Sequence, residues 1–132
     1  MLSPESHKEL QSAWLPNITD AGLNRLIDLL EKASPLLIHG CFTKSVPMGC
    51  LATHAGWHHP RTAHLTSDAG ISWLHHVAGL NPATSHVLRD WDRRGINDWS
   101  VRSDLLGELK EERRKRQNKA EPVCARGELA TV

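Results

Sequence analysis

The stretch LLIHGCFTKSVPMGCLATHAGWHH, residues 36–59, decides the fold class, because its periodicity is the hardest in the chain to assign. The opening run, Leu36 to Phe42, is apolar but too short for period alone to separate a buried helix from a buried strand. Ser34-Pro35 just before it can close one helix or open another. No other segment reads as a convincing strand, so the expectation is a short helix here. Ser45 can then cap a further helix with Pro47 in its first turn, running to His59 before Pro60 stops it. Met48, Leu51, Ala52 and Ala55 would form one face of that helix. Gly49 and Gly56 fall on a second face, where each costs about 1 kcal/mol against Ala. Close approach of a neighbouring helix is their expected compensation.

The flanks read as helices with clearer ends. Ser3-Pro4-Glu5 supplies a cap, a first-turn proline and a first-turn acid for a helix over 4–14, which Pro16 ends. Thr19-Asp20 opens a second helix over 20–33, whose Leu23, Leu26, Ile27 and Leu30 repeat at i, i+3, i+4 and i+7. Downstream, Ser67-Asp68 starts a helix over 68–78 with Ile71, Leu74 and Ala78 inward, closed by Gly79-Leu80. Asn81-Pro82 begins another over 82–94, with Ala83, Val87, Leu88 and Trp91 as its stripe and Gly95 as its terminator. A last helix starts near Asn97 or Ser100 and carries Val101, Leu105, Leu106 and Leu109.

From Lys110 to Lys119 no residue is apolar, and Glu111/Lys115 and Glu112/Arg116 are spaced as i, i+4 pairs, so the helix is expected to project into solvent. Residues 120–132 show no period and read as a loose tail. The expectation is an all-α bundle of six to seven short helices in one domain over 1–119. Trp14, Trp73, Trp91 and Trp99 each lie near a helix and are expected to pack.

With 132 residues, 39% hydrophobic and 23% charged, the chain has the size and composition of one ordinary globular domain. A formal charge of +1 gives no global attraction to nucleic acid or membrane. The first sixty residues carry four Lys/Arg against five Asp/Glu and the remainder twelve against ten, so the basic excess is local, at Arg113–Arg116. Three unevenly spaced cysteines argue against a disulfide framework, and the amino terminus lacks a signal-peptide pattern. No window approaches the ~18 apolar residues of a membrane span. A cytoplasmic protein is expected.

The chemistry concentrates between Cys41 and His64, which hold two of three cysteines and four of nine histidines. On a helix over 46–59, Cys50, His54 and His58 follow at four-residue steps, each drifting about 40°, so the three span about 80° of one side. His at i and i+4 lets two imidazoles reach one ion. Cys41 or His39 could supply a fourth ligand if the turn through Ser45-Val46-Pro47 folds back. Cys41, Cys50, His54 and His58 together would suit tetrahedral Zn²⁺, ahead of iron, although Fe and Cu share these ligand types. The pattern lacks the tight Cys-x₂₋₄-Cys knuckle of established zinc modules. The plain alternative is a histidine-rich helix edge beside a buried free cysteine. An enzymatic reading makes Cys41 or Cys50 a nucleophile activated by a nearby histidine, with Lys44 lowering its pKa.

Residues 68–94 form two helices about a glycine-containing turn. The segment from His76 to Leu88 resembles the turn and recognition helix of bacterial helix-turn-helix repressors, with Leu74, Gly79, Leu80, Thr84 and Leu88 at pattern positions. His75 and Ser85 depart from the pattern. The resemblance implies that Ala83, Ser85, His86, Arg89 and Arg93 face a DNA major groove, with Arg94, Arg113, Arg114 and Arg116 on phosphates. Asp90 and Asp92 put negative charge on that helix, and a plain αα-hairpin in the core is the alternative. The leading expectation is a small helical protein binding a metal ion through its Cys/His cluster. A helix-turn-helix DNA-binding protein using residues 68–94 comes second and a thiol enzyme third, with DNA or a protein as the expected macromolecular partner.

Overall fold

The computed structural model describes residues 2–94 and 98–131, with side chains as far as Asn118. The chain is mostly helical, but it is not strictly all-α. Six helices carry the core: α1 (Pro4–Glu9), α2 (Asp20–Glu31), α3 (Leu51–Trp57), α4 (Ala69–Ser72), α5 (His86–Arg94) and α6 (Trp99–Thr131). α1 and α4 each continue into a wider π-helical turn, over Leu10–Trp14 and Trp73–Val77. A hairpin of β1 (Thr43–Ser45) and β2 (Met48–Gly49) lies where helix was expected.

The expectations for 36–59 are therefore corrected. Leu36 closes a turn and Leu37 bridges Gly49 in parallel, through Gly49 N–H to Leu36 O and Ile38 N–H to Gly49 O, both 3.0 Å. Thr43 and Val46 are β-branched and Pro47 lacks an N–H, so the middle of the stretch suits a hairpin better than a helix. Helix begins only at Leu51, with Cys50 as its N-cap residue.

Gly56 does what the sequence implied: a Cβ there would sit 2.4 Å from Ala69 O, so α4 crosses α3 at backbone contact. Gly70 repeats this from the other side, 2.5 Å from Thr53 Oγ1. Gly49 sits in β2 instead, against Thr53.

Each end of the antiparallel α1–α5 pair is capped by a carboxylate from the other helix. Glu9 accepts from Trp14 Nε1 (2.9 Å), Ser85 Oγ (2.6 Å), His86 N–H (2.9 Å) and Val87 N–H (3.2 Å) at the start of α5. Asp90 accepts from Ser3 N–H (2.9 Å) and Ser6 Oγ (2.6 Å) at the start of α1. Each acid thus meets the positive end of a helix dipole.

Leu23, Leu26, Ile27 and Leu30 are buried as the α2 periodicity required, and α2 packs along α6, whose Val101, Leu105 and Leu109 are buried too. Beyond Lys110, α6 does not simply project into solvent. Lys110 pairs with Glu31 (2.7 Å) and Arg113 Nη1 donates to Asn24 Oδ1 (3.3 Å). Arg116 donates to Asp20 (2.8 Å) and to the carbonyls of Leu15 (2.7 Å) and Ile18 (2.8 Å). Polar pairing along α2 replaces the apolar stripe. The expected tail over 120–132 falls on residues whose side chains lie outside those described, and Gly95 and Asn97 are outside altogether.

Trp14, Trp73 and Trp91 are fully buried, and the first two meet edge to face at 5.2 Å. Trp99 is 69% exposed and Ile71 41%, against their expected packing. No helix among the described residues is long and apolar enough to cross a membrane.

Candidate functional site

The loop His39-Gly40-Cys41 is held from both sides. On its amino side Leu36 O accepts from Gly49 N–H and from His54 Nε2 (2.8 Å), and Ile38 O accepts from Trp91 Nε1 (2.9 Å). On its carboxyl side Phe42 O accepts from Cys50 N–H (2.9 Å) and Thr53 Oγ1 (2.7 Å). Between them Gly40 takes φ +81°, a conformation open to glycine, and its N–H donates to Asp92 Oδ1 (2.9 Å). The loop is thus tied to the hairpin, α3 and α5, while the His39 and Cys41 side chains stay exposed.

Two depressions meet at Cys41. One, of about 540 Å³, is walled by Pro35, Leu37 and Ile38 and also lined by His39, Cys41, Lys44 and Met48. The other, of about 80 Å³, runs between Cys41, Cys50, Leu88 and Asp92.

The four expected ligands are not gathered around one point. Among the described residues no group of three or more His, Cys, Asp or Glu is placed to hold an ion. Cys50 is the extended N-cap residue of α3 instead of lying within the helix. Its sulfur is buried 3.6 Å from Thr53 Oγ1, and burial holds the thiol pKa above its usual value. That is the opposite of an activated nucleophile.

His54 is 1% exposed. A carbonyl can only accept, so Nε2 carries the proton given to Leu36 O, and Nδ1 is buried without a partner. Burial lowers its pKa, helped by Arg25 and His58, against the hydrogen bond to Leu36. His58 donates from Nδ1 to His54 O at 2.9 Å, within its own helix turn. Of the expected set, only Cys41 is exposed.

The helix-turn-helix geometry is also altered. Eight residues, 78–85, separate the π-helical turn from α5, twice the short turn the motif uses. Ser85 is 4% exposed and caps α5, accepting from Leu88 N–H (3.3 Å) while donating to Glu9, so it cannot meet a groove. Arg113 is engaged with Asn24 and Arg114 with Glu111, at 2.9 and 2.5 Å. His86, Arg89 and Arg93 remain exposed at i, i+3 and i+7 of α5. The acids that counted against this helix are turned to structural work, Asp90 on α1 and Asp92 on Gly40.

Comparison of the chain with known protein families, curated proteins and solved structures finds no match.

Proposed function

We propose that the protein binds a single metal ion in the cleft beside Cys41, with the Cys41 thiolate and the His39 imidazole as first ligands and a structural or sensory role. One observation carries the reading: a short loop clamped by backbone hydrogen bonds on both sides turns a thiol and an imidazole into the same cleft. A preorganised loop loses little entropy when it binds, which favours a small ligand set. Thiolate with imidazole suits Zn²⁺ or copper better than the hard ions that seek carboxylates. Cys50 and His54 are buried under the loop, His58 is half-buried at the end of α3, and His54 supports the loop by holding Leu36 O.

A ligand that binds only the folded chain raises its melting temperature. At a hundredfold excess over Kd the gain is about 2.7 kcal/mol, or roughly 5–15 °C for a domain of this size. Reduced protein without an affinity tag is expected to shift on adding Zn²⁺ or Cu⁺, and Cys41→Ser is expected to abolish the shift. No shift, or an equal shift in Cys41→Ser, contradicts the reading.

A second reading places an anionic partner, duplex DNA, on the His86/Arg89/Arg93 face of α5. It is favoured by the engagement of Asp90 with α1 and of Asp92 with Gly40, which gives the two carboxylates of this helix partners away from the His86/Arg89/Arg93 stripe. Binding to duplex DNA that falls with salt and is lost in Arg89→Ala/Arg93→Ala supports it. Binding indifferent to both substitutions removes it.

A further inference from the structure

We infer that the ion held beside Cys41 is monovalent copper, with the Met48 thioether as the third ligand. The inference rests on the reading that Cys41 and His39 bind a metal, and it adds the identity of the ion and one ligand.

Met48 is the first residue of β2, paired with Ser45 across the hairpin and adjacent to Gly49. Gly49 bonds to the backbone on both sides of Leu37, so Met48 is held beside the segment that leads into the loop. It is half-buried, and it lines the same cleft as His39 and Cys41. Its sulfur takes a weak, exposed contact from Ser45 Oγ across the hairpin at 3.9 Å, and a thioether sulfur keeps a second lone pair for an ion.

The donor set selects the ion. On the His39 side of Cys41 the lining holds no carboxylate, and Asp92, in the depression on the other side, accepts from Gly40 N–H, which leaves Ca²⁺, Mg²⁺ and Mn²⁺ without the several carboxylates they prefer. Zn²⁺ in structural sites takes four N, S or O ligands, and no three of His, Cys, Asp and Glu converge here among the described residues. The site reaches three donors only when a thioether is counted, and a soft d¹⁰ ion values a thioether. Cu⁺ is satisfied by three donors.

Charge points the same way. One thiolate neutralises one Cu⁺, whereas a divalent ion would leave a net positive charge beside the Lys44 ammonium that shares the cleft. The apolar walls of Pro35, Leu37 and Ile38 favour the neutral complex over a charged one.

The test uses full-length reduced protein in a Cys124→Ser background, which removes the third thiol of the sequence as a competitor for the ion. Cu⁺ is titrated anaerobically against bathocuproine disulfonate, and Zn²⁺ separately against a chromophoric chelator. The expected result is one Cu⁺ per chain, weakened at least tenfold by Met48→Leu and by His39→Asn and at least a hundredfold by Cys41→Ser. X-ray absorption of the unsubstituted Cu⁺ complex is expected to show two sulfur and one nitrogen neighbours, a readout independent of how the variants fold. Cu⁺ affinity unchanged in Met48→Leu, or a single sulfur neighbour, overturns the inference while Cys41-dependent Zn²⁺ binding leaves the underlying reading standing. Failure to bind either ion, or binding indifferent to Cys41→Ser, overturns both.

Discussion

Glu9 illustrates how one side chain can hold two helices together. Its carboxylate closes α1, ties down the Trp14 indole and caps α5 through two backbone N–H groups and Ser85. Glu9→Ala removes the acceptor for four donors, three of them in buried surroundings. It should cost about 3 kcal/mol or more, since each buried unpaired donor is worth roughly 1–3 kcal/mol. Glu9→Gln keeps the shape but turns an NH₂ toward donors, and should cost less than alanine. Chemical denaturation reads both, and a loss under 1 kcal/mol for Glu9→Ala would show that the cap is dispensable.

His54 carries the second residue-scale expectation. Its neutral ring satisfies Leu36 O, and Nδ1 is buried without a hydrogen-bond partner. Because burial lowers the folded-state pKa below the usual 6.5, the unfolded chain binds the proton more readily. Stability is therefore full above about pH 6.5 and falls as the pH drops below it, until the folded pKa is also passed. His54→Gln keeps a donor for Leu36 O and lacks the titration. It should be less stable at pH 7.5 yet lose much of the slope between pH 6.5 and 5. An unchanged slope in His54→Gln would assign the acid sensitivity elsewhere, with His59, whose pKa burial also lowers, as the next group to substitute.

At the scale of elements, the tightest joint is the crossing of α3 and α4. Backbone approaches backbone there because Gly56 and Gly70 lack side chains. Gly56→Ala would press a methyl onto Ala69 O, and Gly70→Ala onto Thr53 Oγ1 and N. Overpacking of this kind typically costs about 1–3 kcal/mol, and here backbone must move, so values at or above the top of that range are expected. Thermal unfolding of the two variants tests the crossing; neutral substitutions would mean that the helices are farther apart.

The same elements show what was legible in the sequence. Helices with a hydroxyl or proline start and a repeating apolar stripe read correctly, because local caps and tertiary burial agree there: α1, α2 and the start of α6 follow Ser3, Thr19 and the Val101/Leu105/Leu109 repeat. α5 was read four residues too early because Asn81-Pro82 imitates a helix start. The real cap is Ser85, chosen by a carboxylate seventy-six residues away. The hairpin was unreadable for a related reason. Two- and three-residue strands show no period, and what holds them is pairing of Leu36 and Ile38 with Gly49, a contact visible only once the chain has folded.

For the whole molecule, the consequence of the hairpin is a change in which chemistry is available. Reading 46–59 as one helix placed Cys50, His54 and His58 side by side. Unwinding its first half moves Cys50 to a buried cap and gives His54 to a core carbonyl. It also brings Met48 out beside His39 and Cys41. Cys41 and His39 were visible as conditional ligands, but Met48 was read as part of an apolar face. The signal for it lay in Thr43-Lys44-Ser45-Val46-Pro47, a run better suited to a turn between strands than to a helix start. The His39-Gly40-Cys41 loop therefore lies outside the helical shell, pinned by α3, α5 and the hairpin.

The most direct test of this account is the metal-to-protein stoichiometry of tag-free protein purified under anaerobic reducing conditions, measured side by side with Cys41→Ser. The account predicts close to one metal atom per chain in the unsubstituted protein and almost none in Cys41→Ser, with both folded. Equal metal content in the two, or none in either after loading with Cu⁺ and Zn²⁺, would contradict it.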